Sequence, residues 1–277
     1  MAIINQMELI VAVSVIAGVI GAMLGLGGGI LLVPIFTLLF HIPFRLAVGA
    51  SLISVIATSS GAAVAYVKDG MTNLRLGMFL EIATTTGAVM GAYLAGVLST
   101  RILYGLFALM LAYSAYALIQ QRSEELPDLQ HSHPLARRLR LASYYHDAVL
   151  KRDISYKVGN PYGGLSLMWV AGMLSGLLGI GSGLLKVMAL DVVMKLPMKV
   201  STATSNFMIG VTAAASAGVY FARGDIRPLI AAPTALGVLL GAVIGTKIME
   251  RLKNRTLRYI FFPVLSIVAV EMFFKAL

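Results

Sequence analysis

Three ionisable side chains in this sequence stand inside apolar surroundings: Glu81 in GMFLEIATTTG, Lys186 in GIGSGLLKVM, and Asp191 shortly beyond it. A charge at the centre of a bilayer costs about 2.5–3.5 kcal/mol on insertion scales, so such a group faces protein interior or water. Lys186 follows a glycine-rich stretch, near the start of the helix that must come next. There its cation would join the partial positive end of that helix and any free backbone N–H groups, a combination that favours an anion. An ion pair with Asp191, or snorkelling, is the structural alternative. Glu81 and Asp191 are candidates to carry a coupling proton, Glu81 because burial favours the neutral carboxyl. For Glu81 the competing use is hydrogen bonding to its threonine neighbours. Ser51 in GASL, and Ser205 and Asn206 in ATSN, add small polar groups that either donate to a ligand or let helices approach closely.

An enzymatic use of these groups finds no support. Cysteine is absent, which excludes disulfides, thiolate catalysis and Cys-ligated metals. His41, His131, His133 and His146 fall in connections, and HSH by itself reads as solvated side chains better than as a metal site. The glycine-rich stretch lacks the GK[ST] ending of a phosphate-binding loop. No cofactor and no metal are expected.

Positioning these side chains falls to backbone that leaves the helical ladder. GLGGGILLVP, Gly25 to Pro34, has a related stretch in GIGSGLLKVM, Gly179 to Met188. Each glycine costs about 1 kcal/mol against alanine in a helix interior, so these stretches open or turn. Inside hydrocarbon, such backbone survives only where protein or a water-filled cavity satisfies its polar groups. Paired breaks are the best sequence-level pointer to a transporter's binding site. The candidate substrate-binding residues are therefore Gly25, Gly27, Gly28, Gly29, Ser51, Gly179, Gly181, Ser182, Gly183, Lys186, Ser205 and Asn206.

The surrounding chain is that of an integral membrane protein. Of 277 residues, 58% are hydrophobic and only 12% charged, and the mean hydropathy is +0.87. Too little polar surface is left for a soluble protein of this size. Apolar segments run near residues 7–40, 45–67, 74–97, 101–120, 164–194, 199–222, 226–249 and 257–274, most reaching the roughly 20 residues of a spanning helix. The first and fifth are too long for one span and too short for two, which suits a broken hairpin. The net charge of +10 sits in the connections. It reads as topology control and contact with anionic lipid, with no nucleic-acid partner. The apolar N-terminal run flows into the glycine stretch and lacks a cleavage site, so it reads as mature structure rather than a signal peptide.

The two glycine stretches belong to an internal repeat. An offset of 154 residues, the distance from Gly25 to Gly179, also carries Gly18 onto Gly172, Pro43 onto Pro197, Ser51 onto Ser205, Tyr66 onto Tyr220, Gly70 onto Gly224, Gly87 onto Gly241 and Gly91 onto Gly245. The expected division is a first transmembrane repeat (1–120), a cytoplasmic linker (121–163) and a second transmembrane repeat (164–277). If segments 7–40 and 164–194 each make a hairpin, the linker cations join Lys68, Arg75, Lys195, Lys199 and the basic run from Lys247 to Arg258 on one side. Only Arg45, Arg101, Arg223, Arg227 and Lys275 remain on the other. That arrangement obeys the positive-inside rule. It predicts inverted-topology repeats, each a glycine-tipped broken hairpin plus three transmembrane helices, with the linker inside and both termini outside. Within the linker, Leu135, Leu139, Ala142, Tyr145 and Val149 recur at helical spacing, which predicts a basic amphipathic helix on the membrane surface.

GLGGGILLVPIF, HIPFRLAVGASL, GLLGIGSGLLKVM and MKVSTATSN together resemble the sulfite exporter (TauE/SafE) family of membrane proteins, and the likeness covers nearly the whole chain. The resemblance implies a multi-pass carrier of the cytoplasmic membrane moving small anions, sulfite and organosulfonates such as sulfoacetate being the named substrates. Ser182 stands where the first motif has Gly28, and Met188 where it has Pro34. This departure fits a division in which the first break supplies flexible backbone and the second supplies Lys186 and a hydroxyl. The expected function is a secondary transporter exporting small sulfur-containing anions, with membrane lipids as neighbours and room for a homo-oligomer. The alternatives are a carrier of a carboxylate or metal cation, and a non-transporting membrane scaffold or sensor.

Overall fold

The computed structural model describes residues 2–24, 28–120, 133–147, 152–249 and 254–277. Helices α1 (Ala2–Leu24), α2 (Gly29–Leu38), α3 (Phe44–Lys68), α4 (Leu74–Val97) and α5 (Thr100–Gln120) are followed by a short α6 (Pro134–Arg138). A hairpin of β1 (Ser143–Asp147) and β2 (Arg152–Tyr156) comes next. Then follow α7 (Pro161–Leu178), α8 (Gly183–Met188) running into a π-helical turn (Ala189–Val193), α9 (Met198–Ala222), α10 (Pro228–Met249) and α11 (Asn254–Ala276). The expected helical polytopic architecture is what the chain adopts. Phe44–Lys68, Leu74–Val97, Pro161–Leu178 and Pro228–Gly245 are long and apolar enough to cross a membrane.

The glycine stretches break their helices as their composition predicts. Gly28 is left-handed at φ 70° and opens α2. On the other side α7 ends on Gly179 at φ 69°, and Gly181 and Ser182 are left-handed at φ 72° and 44° before α8 begins. A left-handed serine carries a strain of roughly 1–2 kcal/mol. Its Oγ donates to the Ala171 carbonyl at 2.6 Å, which holds the turn onto α7.

The repeat is visible element by element. Gly29, Phe44, Leu74 and Thr100, which open α2, α3, α4 and α5, stand 154 residues before Gly183, Met198, Pro228 and Asn254, which open α8, α9, α10 and α11. The left-handed positions recur too: Gly28 with Ser182, His41 with Lys195, Gly70 with Gly224. Since three of these six are not glycine, the backbone path recurs beyond the residue type.

The halves are interleaved. α1 packs on α10 and α4 on α7 with backbones in contact at glycines: a Cβ on Gly18 would stand 2.5 Å from the Val238 carbonyl oxygen, and one on Gly172 2.1 Å from that of Thr84. Gly241 meets Val15 and Val19 just as Gly87 meets Trp169 and Met173. Such close approach is what small residues allow between membrane helices. The counterpart helices α3 and α9 run antiparallel. The backbone N–H of Asn73, beyond the end of α3, donates to Thr204 near the start of α9, while Gly49 near the start of α3 meets Asp225 beyond the end of α9. α5 and α11 do the same, with Lys275 over the Tyr104 ring.

The linker departs from expectation. In place of an amphipathic helix over 135–149, α6 stops at Arg138, Arg140 turns left-handed at φ 51°, and the chain pairs Tyr145 with Ile154 in an antiparallel hairpin. Period-two patterning prevails: Tyr145, Tyr156 and Val158 point inward while Tyr144 stays exposed, and Leu139 and Ala142 of the expected helical face are exposed. Val149 lies outside the described residues. Aromatic and β-branched side chains favour such a half-buried pleated surface. The inner face joins Leu76, Leu80, Met168, Leu190, Met194 and Met208 in one apolar cluster. Among the linker histidines, His133 caps α6 by accepting from the Leu135 N–H.

Asn73 fastens this linker. Its Nδ2 donates to the Leu141 carbonyl at 2.8 Å and the Tyr156 hydroxyl at 3.0 Å, and its Oδ1 caps α4 at the Leu76 N–H. Burial pushes the Tyr156 phenol above its ordinary range, so it stays a neutral partner. Asn73→Ala removes an N-cap worth about 1 kcal/mol together with both ties to the linker. Limited proteolysis should cut the 133–160 region faster in the variant; an unchanged rate would show that apolar packing alone holds it.

Candidate functional site

Two buried polar groups emerge from the residues singled out above. The first lies where the helix breaks meet. Ser51 of α3 donates to the Gly179 carbonyl at 2.8 Å and reaches the Gly29 carbonyl at 3.4 Å, so one hydroxyl touches both breaks. A Cβ on Gly29 would lie 2.9 Å from the Gly179 oxygen, which puts the two broken backbones in direct contact. Ser205 donates to the Gly183 carbonyl at 3.3 Å, the counterpart of the Ser51 bond to Gly29. Gly181 is walled by Val55 of α3 and Ile209 of α9. Gly25 and Gly27 lie outside the described residues.

The second group is built on α4, α8 and α9. Lys186 is wholly buried, and its Nζ donates to Thr212 Oγ1 at 2.6 Å and to the Met208 carbonyl at 3.2 Å. Thr212 Oγ1 in turn lies 2.7 Å from Glu81 Oε1, which also accepts from Thr85 at 3.1 Å. The second oxygen, Glu81 Oε2, is buried with no hydrogen-bond partner. Ser205, Met208 and Thr212 recur at helical spacing along one face of α9. Lys186 itself follows Gly183 within a turn, so α9 and α8 join the two groups.

Not every expected residue takes part. Asp191 sits in the π turn, half-buried, with Lys195 as its charged neighbour, and the ion pair weighed for it with Lys186 does not form. Ser182 turns its hydroxyl to Ala171, away from either group. Asn206 spends its amide on the Thr202 carbonyl of its own helix. α8 is only six residues long before the π turn, so the positive charge beside the second break comes from Lys186 rather than from a long helix dipole. Thr212 was missed, although Thr58 stands at its place in the first repeat. Lys186 and Glu81 have Leu32 and Ala235 as counterparts, so the charged pair belongs to one side of the molecule.

A buried cation bonded through a hydroxyl to a buried carboxylate stands beside two touching helix breaks. It can hold an anion in place of the carboxylate. The profile of the sulfite exporter TauE/SafE family matches residues 10–272 of the chain. The chain belongs to the TauE/SafE family. It is thereby a membrane protein of a transporter family, as the paired breaks imply. Similar proteins carry names of the same kind. The "probable membrane transporter protein YunE" of Bacillus subtilis (strain 168) is 26% identical, over 97% of this chain and 98% of its own length. The "probable membrane transporter protein YdhB" of the same strain is 25% identical over 96% and 100%. The "probable membrane transporter protein MJ0441" of Methanocaldococcus jannaschii is 24% identical over 96% and 95%. No solved structure matches the chain.

Proposed function

We propose that this TauE/SafE protein is a secondary transporter that exports small sulfur-containing anions, sulfite or organosulfonates such as sulfoacetate, across the cytoplasmic membrane. The observation that carries the reading is the ammonium of Lys186, wholly buried and fully inside the protein beside the second break. A cation is expensive there unless negative charge comes to it. The anion would sit between the two breaks and Lys186. The backbone around Gly25, Gly27, Gly28, Gly29, Gly179, Gly181 and Gly183, with Ser51 and Ser205, would replace its hydration shell, and Ser182 and Asn206 would hold the surrounding backbone. The chain has no nucleotide-binding motif, so an ion gradient or the membrane potential drives the movement.

The same reading takes the two halves, 1–120 and 164–277, as inverted repeats about the 121–163 linker. Counterpart helices that pack antiparallel, α3 with α9 and α5 with α11, support an axis perpendicular to the helices, and the charge bias supports a cytoplasmic linker with external termini. Lipids and further copies of the chain would be its neighbours in the membrane, and nucleic acid is no partner.

Sulfite and sulfoacetate flux from loaded proteoliposomes tests the substrate class. Wild-type protein should release both faster than protein-free vesicles. Failure of either to move, with a carboxylate or metal cation moving instead, would sink the sulfur-anion reading.

A further inference from the structure

Glu81 has one carboxylate oxygen bonded to two threonines and the other buried with no partner. A buried oxygen left bare is costly unless something else comes to it. Packing does not explain it, because the surrounding side chains leave the oxygen enclosed but unanswered. The bond network around it also serves two protonation states. Thr212 has one hydroxyl hydrogen and two lone pairs, yet it stands within 2.7 Å of both Glu81 Oε1 and the Met208 carbonyl. With Glu81 ionised, Lys186 donates to Thr212 and Thr212 donates to Glu81. With Glu81 protonated, the carboxyl donates to one Thr212 lone pair, Lys186 keeps the other, and the Thr212 hydrogen swings to the Met208 carbonyl. No bond is lost in the exchange; what Lys186 loses is its counter-charge.

We propose that Glu81 is the proton-coupling residue of the transport cycle, alternating with the anionic substrate as the counter-charge of Lys186. The proposal rests on the anion reading above. An entering anion engages Lys186 as Glu81 takes a proton from water on that side. Release of the anion on the other side returns Glu81 to the carboxylate and its proton to that side, so one proton travels with each anion, and the anion's own outward gradient drives the pair. A sodium ion would have to share Thr212 Oγ1 and the Met208 carbonyl with the Lys186 ammonium. The other charged groups on the elements packed around Glu81 are set apart from it. They are Arg75 at the start of α4, Lys199 at the start of α9, and Asp191 in the π turn facing Lys195. α7 contributes only Tyr162, exposed in its first turn, and the linker contributes the phenols of Tyr145 and Tyr156. Glu81 keeps 8% of its surface exposed while Lys186 keeps none, so Glu81 lies at the edge of the cluster and Lys186 inside it.

The test uses the full chain in vesicles containing a pH-sensitive dye. Sulfoacetate is the main probe, because at neutral pH both its sulfonate and its carboxylate are ionised and it crosses membranes poorly without a carrier; sulfite runs in parallel. Wild-type protein should move protons in the direction of the anion, and Glu81→Gln should lose this proton movement while keeping anion-for-anion exchange. Retained exchange shows that the variant is folded. In detergent, sulfoacetate should raise the melting temperature of Glu81→Gln more than that of wild type, since binding to the native state stabilises it and Lys186 there has no carboxylate to satisfy it. Anion flux without protons, flux that follows a sodium gradient, or proton movement that survives in Glu81→Gln overturns the coupling and leaves the anion reading standing. Absence of any sulfur-anion flux overturns that reading, and the coupling with it.

Discussion

Lys186→Met should abolish sulfite efflux and lower the stability of the folded protein by about 3–5 kcal/mol, the usual cost of removing one partner from a buried ion pair. The flux is lost because no other buried cation is found among the described residues, and Leu32 occupies the equivalent place in the first repeat. The stability is lost because Glu81 remains buried, now bonded only to threonines. These two effects separate in the double variant Lys186→Met/Glu81→Gln. Replacing a buried pair by neutral groups of similar volume is often close to neutral for stability, so the double variant should melt near wild type and still transport nothing. Thermal denaturation in detergent and sulfite efflux from proteoliposomes read the two quantities. Efflux that continues unchanged in Lys186→Ala would remove Lys186 from the transport path.

Gly176→Ala should be the most damaging of the single-methyl substitutions. Its Cβ would stand 2.0 Å from the Ala88 carbonyl oxygen and 2.9 Å from the Ala92 nitrogen, both backbone atoms that no rotamer change can move. α7 must then retreat from α4, at a cost of about 1–3 kcal/mol or more for overpacking, and Tyr220 would lose its bonds to the Gly176 and Leu177 carbonyls. Gly218→Ala is the matched control. Nothing lies within 4 Å of a Cβ there, and alanine gains up to about 1 kcal/mol over glycine inside a helix. The pair should shift the melting temperature in opposite directions. A Gly176→Ala protein as stable as wild type would mean that α4 and α7 slide apart without penalty.

Much of this architecture could be read from the glycines. Four in a short stretch, three of them recurring at a fixed distance, specify both the breaks and the repeat, because left-handed backbone and helix contact at carbonyl distance both favour the missing Cβ. Ser51 and Ser205 were marked by their recurrence, while their bonds to the carbonyls of the breaks came only with the structure. The partner of Lys186 was not. Spacing along the chain offers Asp191, but the cation's true neighbours come from α4 and α9, and only the interleaving of the two halves brings Glu81 and Thr212 to it. Helical spacing misled in the linker, where Leu139 and Ala142 fit a helix face while the pairing of Tyr145 with Ile154 decided the structure. Short segments of mixed aromatic and charged residues satisfy both periods, and long-range burial selects between them. Ser182 illustrates a third limit: its type suggested a ligand hydroxyl, while its left-handed backbone turned that hydroxyl toward Ala171.

The crossed packing of α1 with α10 and of α4 with α7 bears on how the protein is made. During synthesis α1 enters the membrane long before α10 exists, and the bare faces at Gly18, Gly87 and Gly91 must remain unmatched until the second half follows. Neither half completes its own interior. A ribosome that stalls after α5 leaves an assembly intermediate with open grooves rather than a finished half-protein, and the last helices to be translated seat the first.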